Sequence, residues 1–368
     1  MQELLHNVFR ARLHSKTHNK DVPLKCFFEP TLKCNLKCVH CYIPKSASKT
    51  ARMPKNKILR LLDKIASCGC LWLIFTGGEP FLRKDFPDIY LYAKKKGFLI
   101  VIFSNATLVT PQLAKMLTVW RPLFVEVSIY GCTRKTYEAV TKVAGSFENF
   151  KKGLGLLISH KIPLSLKMPL LTINKHELGM ARKWAKELDV PFRFDAAIYP
   201  GLDGSLVPFS YRLKPKEVVN AEMQFKEKLE YFKNKISVKK SRLEKEYIFD
   251  ECGAGQNAFC VCADGSMSMC MLARVPGSSL AGGRIKEAWL KLQKISDTIL
   301  EDNKKCLNCK IRYFCDYCLG AAAFKQPQAS GANLVEAMKS HYCETAALRA
   351  NYFRAKNNVI RRKNNQTV

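Results

Sequence analysis

Three closely spaced cysteines are the residues in this sequence best suited to chemistry. Cys34, Cys38 and Cys41 are separated by three and then two residues. Thiolates at this spacing can ligate three irons of a cubane 4Fe-4S cluster and leave the fourth iron open to another ligand. The run therefore predicts a reactive iron-sulfur centre rather than a structural one.

Zinc and a disulfide are the two alternatives for these cysteines. Structural zinc sites favour four protein ligands in paired short spacings, and the nearest fourth candidates, His40 and Cys26, lie outside such a pair. A disulfide needs an oxidising compartment, but residues 1–16 lack the apolar core and the cleavage site of a signal peptide. We therefore expect reduced thiols and a cytoplasmic protein.

The cysteine run resembles the CxxxCxxC signature of radical SAM enzymes, and Tyr42 stands where that signature usually carries an aromatic residue. The resemblance implies that the open iron binds the amino and carboxylate groups of S-adenosyl-L-methionine (SAM). An electron from the cluster would then cleave SAM to a 5'-deoxyadenosyl radical, which abstracts hydrogen from a substrate. Cys34, Cys38 and Cys41 would thus be metal ligands and catalytic residues at once.

Short β-rich runs alternate with helical periodicity along the first two thirds of the chain. The predicted strands are residues 24–28, 71–75, 99–103, 123–128, 163–168 and 191–195, and two of the predicted helices are 57–66 and 177–188. A repeat of about thirty residues is typical of β-α units with right-handed crossovers in a parallel sheet. The predicted fold class is α/β, a partial (β/α)6 TIM-type barrel like that of radical SAM enzymes, followed by a small cysteine-rich iron-sulfur domain.

Ligands of such barrels bind at the carboxyl ends of the strands, so the residues after each strand are candidates. The second strand is followed by Thr76, Gly77, Gly78, Glu79 and Pro80. The two glycines allow close approach of the backbone, and the glutamate supplies an acceptor for a cation. The run resembles the GGEP motif, which in radical SAM enzymes holds the amino group of SAM.

Polar residues also end the next two strands. Ser104 and Asn105 follow the third strand, and Ser128 ends the fourth. They match positions that contact the SAM ribose or carboxylate in radical SAM enzymes. Strand-end caps and turns are the alternative role for such short polar side chains.

Three charged residues complete the predicted site. Lys142 lies near a position where relatives often carry an arginine, and Lys167 belongs to the fifth strand. Either lysine could neutralise the SAM carboxylate or be a solvated charge. Asp195 ends the sixth strand and could serve as a polar contact, a catalytic base or a structural hydrogen-bonding group.

A second cysteine-rich region lies in the last third of the chain. Nine cysteines stand there: Cys252, Cys260, Cys262, Cys270, Cys306, Cys309, Cys315, Cys318 and Cys343. This density exceeds what packing requires, and two CxxC pairs have a spacing that iron-sulfur clusters and zinc would both satisfy. The pattern resembles the SPASM domain, which binds two auxiliary 4Fe-4S clusters beside a radical SAM barrel.

The resemblance implies a ligand set for each auxiliary cluster. The implied ligands are, for the first cluster, Cys252, Cys260, Cys270 and Cys318, and for the second, Cys306, Cys309, Cys315 and Cys343. Cys260 and Cys262 are two residues apart and point the same way in an extended segment, so Cys262 stays an alternative to Cys260, and an open iron on this cluster is a third alternative.

These patterns divide the 368 residues into five parts. The parts are an N-terminal extension (1–22), the partial barrel (23–211), a basic helical bridge (212–249), the SPASM domain (250–348) and a basic tail (349–368). No apolar run reaches the length that a membrane span needs, so we expect a soluble protein.

The net charge bears on the partner. With 61 basic and 31 acidic residues the formal charge is +30, which predicts attraction to an anionic partner unless it is a compositional habit of the organism. Many SPASM enzymes modify ribosomal peptides by crosslinking or side-chain oxidation. The resemblance therefore implies a peptide or protein substrate, and the charge favours an acidic one.

Further partners and alternative functions follow from the same resemblance. A reducing electron donor such as flavodoxin or ferredoxin is implied, and the early start of the barrel indicates that a peptide is recognised by the barrel surface or by a separate peptide-recognition protein. A radical SAM enzyme acting on RNA or on a small-molecule cofactor precursor is the alternative. A non-catalytic iron-sulfur electron carrier is the remote one, since a carrier has no use for a GGEP pocket.

Overall fold

A computed structural model describes residues 13, 22–49, 53–238, 253–274, 277–280, 284–318 and 331–364. Cys252, nearly all of the predicted N-terminal extension and the end of the predicted bridge lie outside these described residues. No helix in the described part of the chain is both long and apolar enough to cross a membrane.

Within the described residues, nine strands form one sheet. They are β1 (Lys25–Thr31), β2 (Trp72–Gly77), β3 (Leu99–Ser104), β4 (Phe124–Ser128), β5 (Leu164–Pro169), β6 (Phe192–Asp195), β7 (Ala258–Val261), β8 (Ser266–Ser268) and β9 (Ser278–Ser279). Their order is β6-β5-β4-β3-β2-β1-β7-β8-β9, and every neighbouring pair from β6 through to β7 is parallel. The predicted α/β barrel sheet is confirmed, with each strand within a few residues of its predicted position.

Helices follow the barrel strands along the chain, since parallel strands need crossover connections. They are α1 (Lys55–Ser67), α2 (Phe86–Lys95), α3 (Pro111–Val119), α4 (Arg134–Thr141), α5 (Ser146–Ser159), α6 (Leu178–Glu187), α7 (Pro215–Met223), α8 (Lys226–Val238), α9 (Ile285–Asp302), α10 (Lys304–Leu307) and α11 (Gly331–Asn364). Several begin with a capping side chain; the Thr110 hydroxyl, for example, accepts from the backbone N–H of Leu113.

Alternate residues of the strands belong to two different apolar clusters. Phe28 and Phe75 lie in the main core together with helix residues such as Ile58. Ile74 and the half-buried Phe27, on the opposite face of the same strands, belong to a second cluster composed almost entirely of strand and loop residues. This second face is the concave inside of the curled sheet, and it must carry any group that projects into the barrel.

The cysteine-rich region is joined directly to the barrel. β7 pairs in parallel with β1, with Phe27 opposite Cys260, and β8 and β9 extend the sheet by antiparallel pairing. The structure also places no break at 348/349, where the sequence pattern puts the start of a basic tail. One helix, α11, runs from 331 to 364, and Arg349 within it is buried.

Candidate active site

The predicted CxxxCxxC run lies in the loop after β1, at the carboxyl end of the sheet. The loop is fixed to the end of α4, because the Lys37 N–H donates to the Thr141 carbonyl over 2.9 Å. Its three thiols are close enough to influence one another electrostatically, since the charges of Cys34 and Cys41 both raise the pKa of Cys38. The structure therefore brings the three predicted ligands together.

These thiols are suited to a metal cluster. Burial raises the pKa of Cys34 to about 12, with a further contribution from the charge of Glu79, and burial holds that of Cys38 well above its usual value. Thiols this basic stay protonated at neutral pH unless a metal replaces the proton. A three-thiolate set of this kind fits an iron-sulfur cluster.

The GGEP run after β2 packs tightly against the start of the cysteine loop. Gly77 has φ = 102°, in the left-handed region, and a Cβ there would lie 2.5 Å from the Thr31 carbonyl oxygen. A Cβ on Gly78 would lie 2.1 Å from the Lys33 carbonyl oxygen. Only glycine permits this approach, so the two loops that would hold SAM are in direct contact.

Glu79 is the buried centre of this contact. Its carboxylate accepts hydrogen bonds from the Phe81 N–H at 3.2 Å, the Ser104 hydroxyl at 2.9 Å and the Asn105 N–H at 2.8 Å. Burial raises the pKa of Glu79 to about 7, although these three hydrogen bonds oppose the rise. A carboxylate can accept about four hydrogen bonds, so room remains for the ammonium group of SAM.

Asn105 links the two motifs. Its side-chain amide donates to the Cys34 sulfur at 3.8 Å and to the Asn35 side-chain oxygen at 3.1 Å. Its own Oδ1 accepts from the Thr107 N–H at 2.9 Å, which fixes the orientation of the amide. The predicted strand-end residues Ser104 and Asn105 therefore both lie at the site.

Tyr130 is a site residue that the sequence pattern did not single out. It follows β4, hydrogen-bonds to Ser128, and its hydrogen bond to the Cys38 thiol offsets part of the rise in the pKa of Cys38 that burial causes. Its ring packs on His40, with ring centroids 5.6 Å apart. Its position two residues after the end of β4 was the available signal, because ligands of such barrels bind just beyond the carboxyl ends of the strands.

The two predicted lysines occupy different environments. Lys167 lies 3.5 Å from Asp195, and its charge adds to burial in lowering the pKa of His40 to about 4. It therefore faces the cysteine loop from β5. Lys142 is exposed at the end of α4 in a left-handed conformation, φ = 55°, next to the residue that anchors the loop.

Comparison with known proteins identifies this arrangement. Residues 28–185 match the radical SAM superfamily. The chain carries a radical SAM domain. The match confirms the predicted radical SAM domain, and with it a domain that uses SAM and a 4Fe-4S cluster, the cofactors predicted for the first site.

Relatives of the radical SAM domain have several activities. The chain is 33% identical over 183 residues to the Fe-coproporphyrin III synthase of Methanosarcina barkeri, covering 50% of this chain and 43% of that protein. It is 28% identical over 164 residues to the antilisterial bacteriocin subtilosin biosynthesis protein AlbA of Bacillus subtilis, covering 44% of this chain and 37% of AlbA. The matches thus span less than half of these relatives.

A solved structure shares the fold over more of the chain. Streptococcus suis SuiB bound to its precursor peptide SuiA superposes with a TM-score of 0.62 at 16% identity, over 85% of this chain and 76% of SuiB. At this identity the likeness concerns the fold, and it extends well beyond the radical SAM domain.

The mouth of the radical SAM barrel faces the cysteine-rich region. Burial raises the pKa of Tyr199 well above its usual value, and the nearby charges of Tyr342, Cys318 and Asp195 add to this effect. Burial alone would raise the pKa of Asp195, but Lys167 and other donors lower it below the usual value, so this carboxylate stays ionised. Asp195 therefore lies between the radical SAM site and a predicted auxiliary ligand.

The described auxiliary cysteines are arranged for metal binding in part. The Cys270 sulfur accepts from the backbone N–H groups of Leu272 at 3.3 Å and Ala273 at 3.1 Å, an arrangement that stabilises a thiolate. Burial raises the pKa of Cys315, and the charge of the nearby Cys343 on α11 raises it further. Cys252 lies outside the described residues, so the complete ligand sets stay predictions.

A buried arginine supports the auxiliary region. Arg349 on α11 donates two hydrogen bonds to Glu222 of α7, both at 2.7 Å, and one to the Phe314 carbonyl at 2.6 Å. It also lies 2.7 Å from Asp316, in the loop between Cys315 and Cys318. The predicted bridge and the predicted tail are thus joined through the loop that carries two predicted ligands.

Cys260 and Cys262 point into the barrel. Their sulfurs and a carboxylate oxygen of Glu29 lie within 4.8 Å of one another, and Arg274 donates to that carboxylate. The sequence pattern gave no role to Glu29. The predicted assignment of Cys260 to the first auxiliary cluster remains untested by this placement.

Proposed function

We propose that this protein is a radical SAM/SPASM enzyme that abstracts hydrogen from a peptide or protein substrate. The hydrogen-bonded series Cys34–Asn105–Glu79 carries the catalytic part of this proposal. It joins Cys34, a predicted cluster ligand, to Glu79, the predicted acceptor of the SAM ammonium. An enzyme that binds SAM on iron needs these two groups close together.

The residues of the first site have separate tasks. Cys34, Cys38 and Cys41 would hold the cluster, and Glu79 would bind the SAM ammonium. When bound, the cluster and SAM supply a hydrogen-abstracting carbon radical after one-electron reduction. Asn105 and Tyr130 hold the sulfurs of the loop by hydrogen bonds, and such contacts tune the reduction potential of a cluster.

The residues of the barrel mouth would contact the carboxylate of SAM and the substrate. Lys167 is the better candidate for the SAM carboxylate, because it faces the cysteine loop. Asp195 is ionised, paired with Lys167 and directed toward the predicted auxiliary site, where it could orient a substrate or accept a proton. Ser128 and Lys142 stay candidates for SAM contacts.

Two observations favour a peptide substrate. AlbA acts in the biosynthesis of subtilosin, and SuiB is solved with its precursor peptide. The charge of +30 would speed association with an acidic peptide. In this proposal the auxiliary clusters, held by the second cysteine set, accept an electron or anchor the peptide, while a flavodoxin or ferredoxin supplies the reducing electron.

A tetrapyrrole substrate is the second candidate. The Methanosarcina protein named Fe-coproporphyrin III synthase has a higher identity to this chain than AlbA has, 33% against 28%. A coproporphyrin is also anionic, since it carries carboxylates, so the basic surplus of this chain would attract it as well.

Anaerobic co-expression with the short peptides encoded beside the gene tests the proposal. Each peptide is weighed by mass spectrometry with the wild-type enzyme and with the Cys38→Ala variant. We expect one peptide to lose a pair of hydrogens only with the wild type. Cys68→Ser, at the end of α1, is the control that should preserve the modification.

The other outcomes separate the alternatives. Unchanged peptides with continued formation of 5'-deoxyadenosine would contradict the peptide assignment, and iron coproporphyrin and RNA would then be tested. Absence of 5'-deoxyadenosine under reducing conditions would contradict the radical SAM activity itself and favour an electron carrier.

A further inference from the structure

A compact group of three ligand side chains spans the junction between the barrel and the cysteine-rich region. Glu29 lies on β1, Cys260 on the paired strand β7, and Cys262 just after β7. Their ligand atoms all lie within 4.8 Å of one another, and all three residues are buried. The group is next to the first site, because the charges of Glu29, Cys41 and Cys260 all act on Tyr42.

The carboxylate of this group is incompletely satisfied. Arg274 donates to Oε1 of Glu29, while Oε2 is buried and has no hydrogen-bond partner among the described residues. Leaving a carboxylate oxygen buried without a partner is costly. A cation between this oxygen and the two sulfurs would remove that cost.

The spacing indicates a single ion rather than a cubane cluster. Ligand atoms about 2.3 Å from one tetrahedral ion lie about 3.8 Å apart, which is compatible with the observed group. Thiolates on different irons of a cubane are held much farther apart. Cys260 and Cys262 are therefore placed to share one metal ion.

The charges also balance. Two thiolates and one carboxylate carry three negative charges, Arg274 carries one positive charge, and a divalent ion makes the buried group neutral. The Ser268 hydroxyl lies 3.2 Å from the Cys262 sulfur and can stabilise that thiolate. Two cysteine thiolates and a carboxylate are accepted ligands of zinc, and with three protein ligands a water molecule would take the fourth position of the tetrahedron.

We propose that Glu29, Cys260 and Cys262 bind one zinc ion that fastens the first strand of the cysteine-rich region to the first strand of the barrel. The site is independent of the substrate. The zinc site competes with the prediction that Cys260 completes the first auxiliary cluster. Loss of Cys260 would remove zinc under the first assignment and iron under the second.

Metal analysis of the full-length protein tests the site. The wild type, Cys260→Ser, Cys262→Ser and Glu29→Gln are purified and reconstituted anaerobically, supplied with Zn2+, and assayed for zinc and iron by mass spectrometry. Cys26→Ser is the matched control. Cys26 is buried on β1, the strand that carries Glu29, but belongs to the opposite face of the sheet. Co2+ in place of Zn2+ reports thiolate ligation by its charge-transfer absorbance.

We expect one tightly held zinc per chain in the wild type and in Cys26→Ser. Cys260→Ser and Cys262→Ser should lose it with iron unchanged, and Glu29→Gln should bind Zn2+ at least tenfold more weakly. Glu29→Gln is isosteric, so it tests the site even if the serine variants do not fold. Equal zinc in all variants, no bound zinc in the wild type, or iron loss from Cys260→Ser would each overturn the proposal.

Discussion

The side-chain amide of Asn105 donates a hydrogen bond to the sulfur of Cys34 over 3.8 Å. The backbone N–H of Asn105 donates at the same time to Glu79, at 2.8 Å. A single residue after β3 thus connects a loop that follows β1 with a loop that follows β2. Asn105 therefore fixes the position of Cys34, the predicted cluster ligand, relative to Glu79, the predicted SAM acceptor.

Asn105→Asp should weaken the first site. The substitution replaces the N–H donor facing Cys34 with a carboxylate, which repels a thiolate and shifts the cluster potential to more negative values. We expect SAM cleavage to fall by about 10- to 100-fold. A redox titration followed by EPR, together with assay of 5'-deoxyadenosine, measures both effects. Asn149→Asp on the exposed side of α5 should change neither; an unchanged potential in Asn105→Asp would refute the role.

Binding of SAM should strengthen as the pH rises through 7. Burial raises the pKa of Glu79 to about 7 in the SAM-free protein, so below this pH the carboxyl is largely protonated and cannot balance an ammonium group. The dissociation constant should fall by up to about tenfold per pH unit below 7. Equilibrium dialysis at several pH values measures it. Glu79→Gln should bind more weakly and lack this dependence; the same slope in that variant would exclude Glu79 as its source.

Gly78→Ala should disrupt the contact between the two loops. A Cβ at Gly78 would lie 2.1 Å from the Lys33 carbonyl oxygen, whereas nothing lies within 4 Å of a Cβ on Gly155 in α5. We expect Gly78→Ala to lose SAM binding, measured by dialysis. Gly155→Ala should keep binding and gain roughly 0.5–1 kcal/mol in the free energy of unfolding. Normal SAM affinity in Gly78→Ala would contradict the close approach.

Arg349→Met should destabilise the junction of α7 and α11. The variant leaves the carboxylate of Glu222 buried without its partner, which costs about 3–5 kcal/mol. Burial already raises the pKa of Glu222 and Arg349 opposes that, so removing the arginine raises it further. The loss should therefore shrink as the pH falls and Glu222 becomes protonated.

Urea denaturation at two pH values measures the loss in the free energy of unfolding. Iron analysis shows whether the variant still binds as much iron as the wild type, as expected if the loop at Asp316 carries a cluster. The exposed Arg354→Met, on the same helix, is the control and should leave stability within about 0.5 kcal/mol of the wild type. Equal stability of the two variants would show that Arg349 is dispensable.

Local sequence patterns were sufficient for the strands and for candidate residues at the strand ends. Periodicity located all six barrel strands, since apolar β-branched runs bounded by turns are a local signal. Strand ends then indicated Glu79, Ser104 and Asn105, because parallel strands bring their carboxyl ends to one edge.

Long-range pairing was beyond the reach of those patterns. The pairing of β7 with β1 joins residues more than two hundred positions apart, and nothing local in either strand specifies the other. This pairing alone places Cys260 and Cys262 beside Glu29. The burial of Arg349 was missed for the same reason, since its partner Glu222 lies on a helix far away in the sequence.

The position of β1 between β2 and β7 has a consequence for biosynthesis. β1 is complete at residue 31, but its second neighbour begins at residue 258. At about 5–20 residues per second, a ribosome needs roughly 10–45 s to make the chain between them. During that interval one edge of the first strand is open while the CxxxCxxC loop is already exposed at its end. Iron delivery to that loop can therefore precede completion of the sheet.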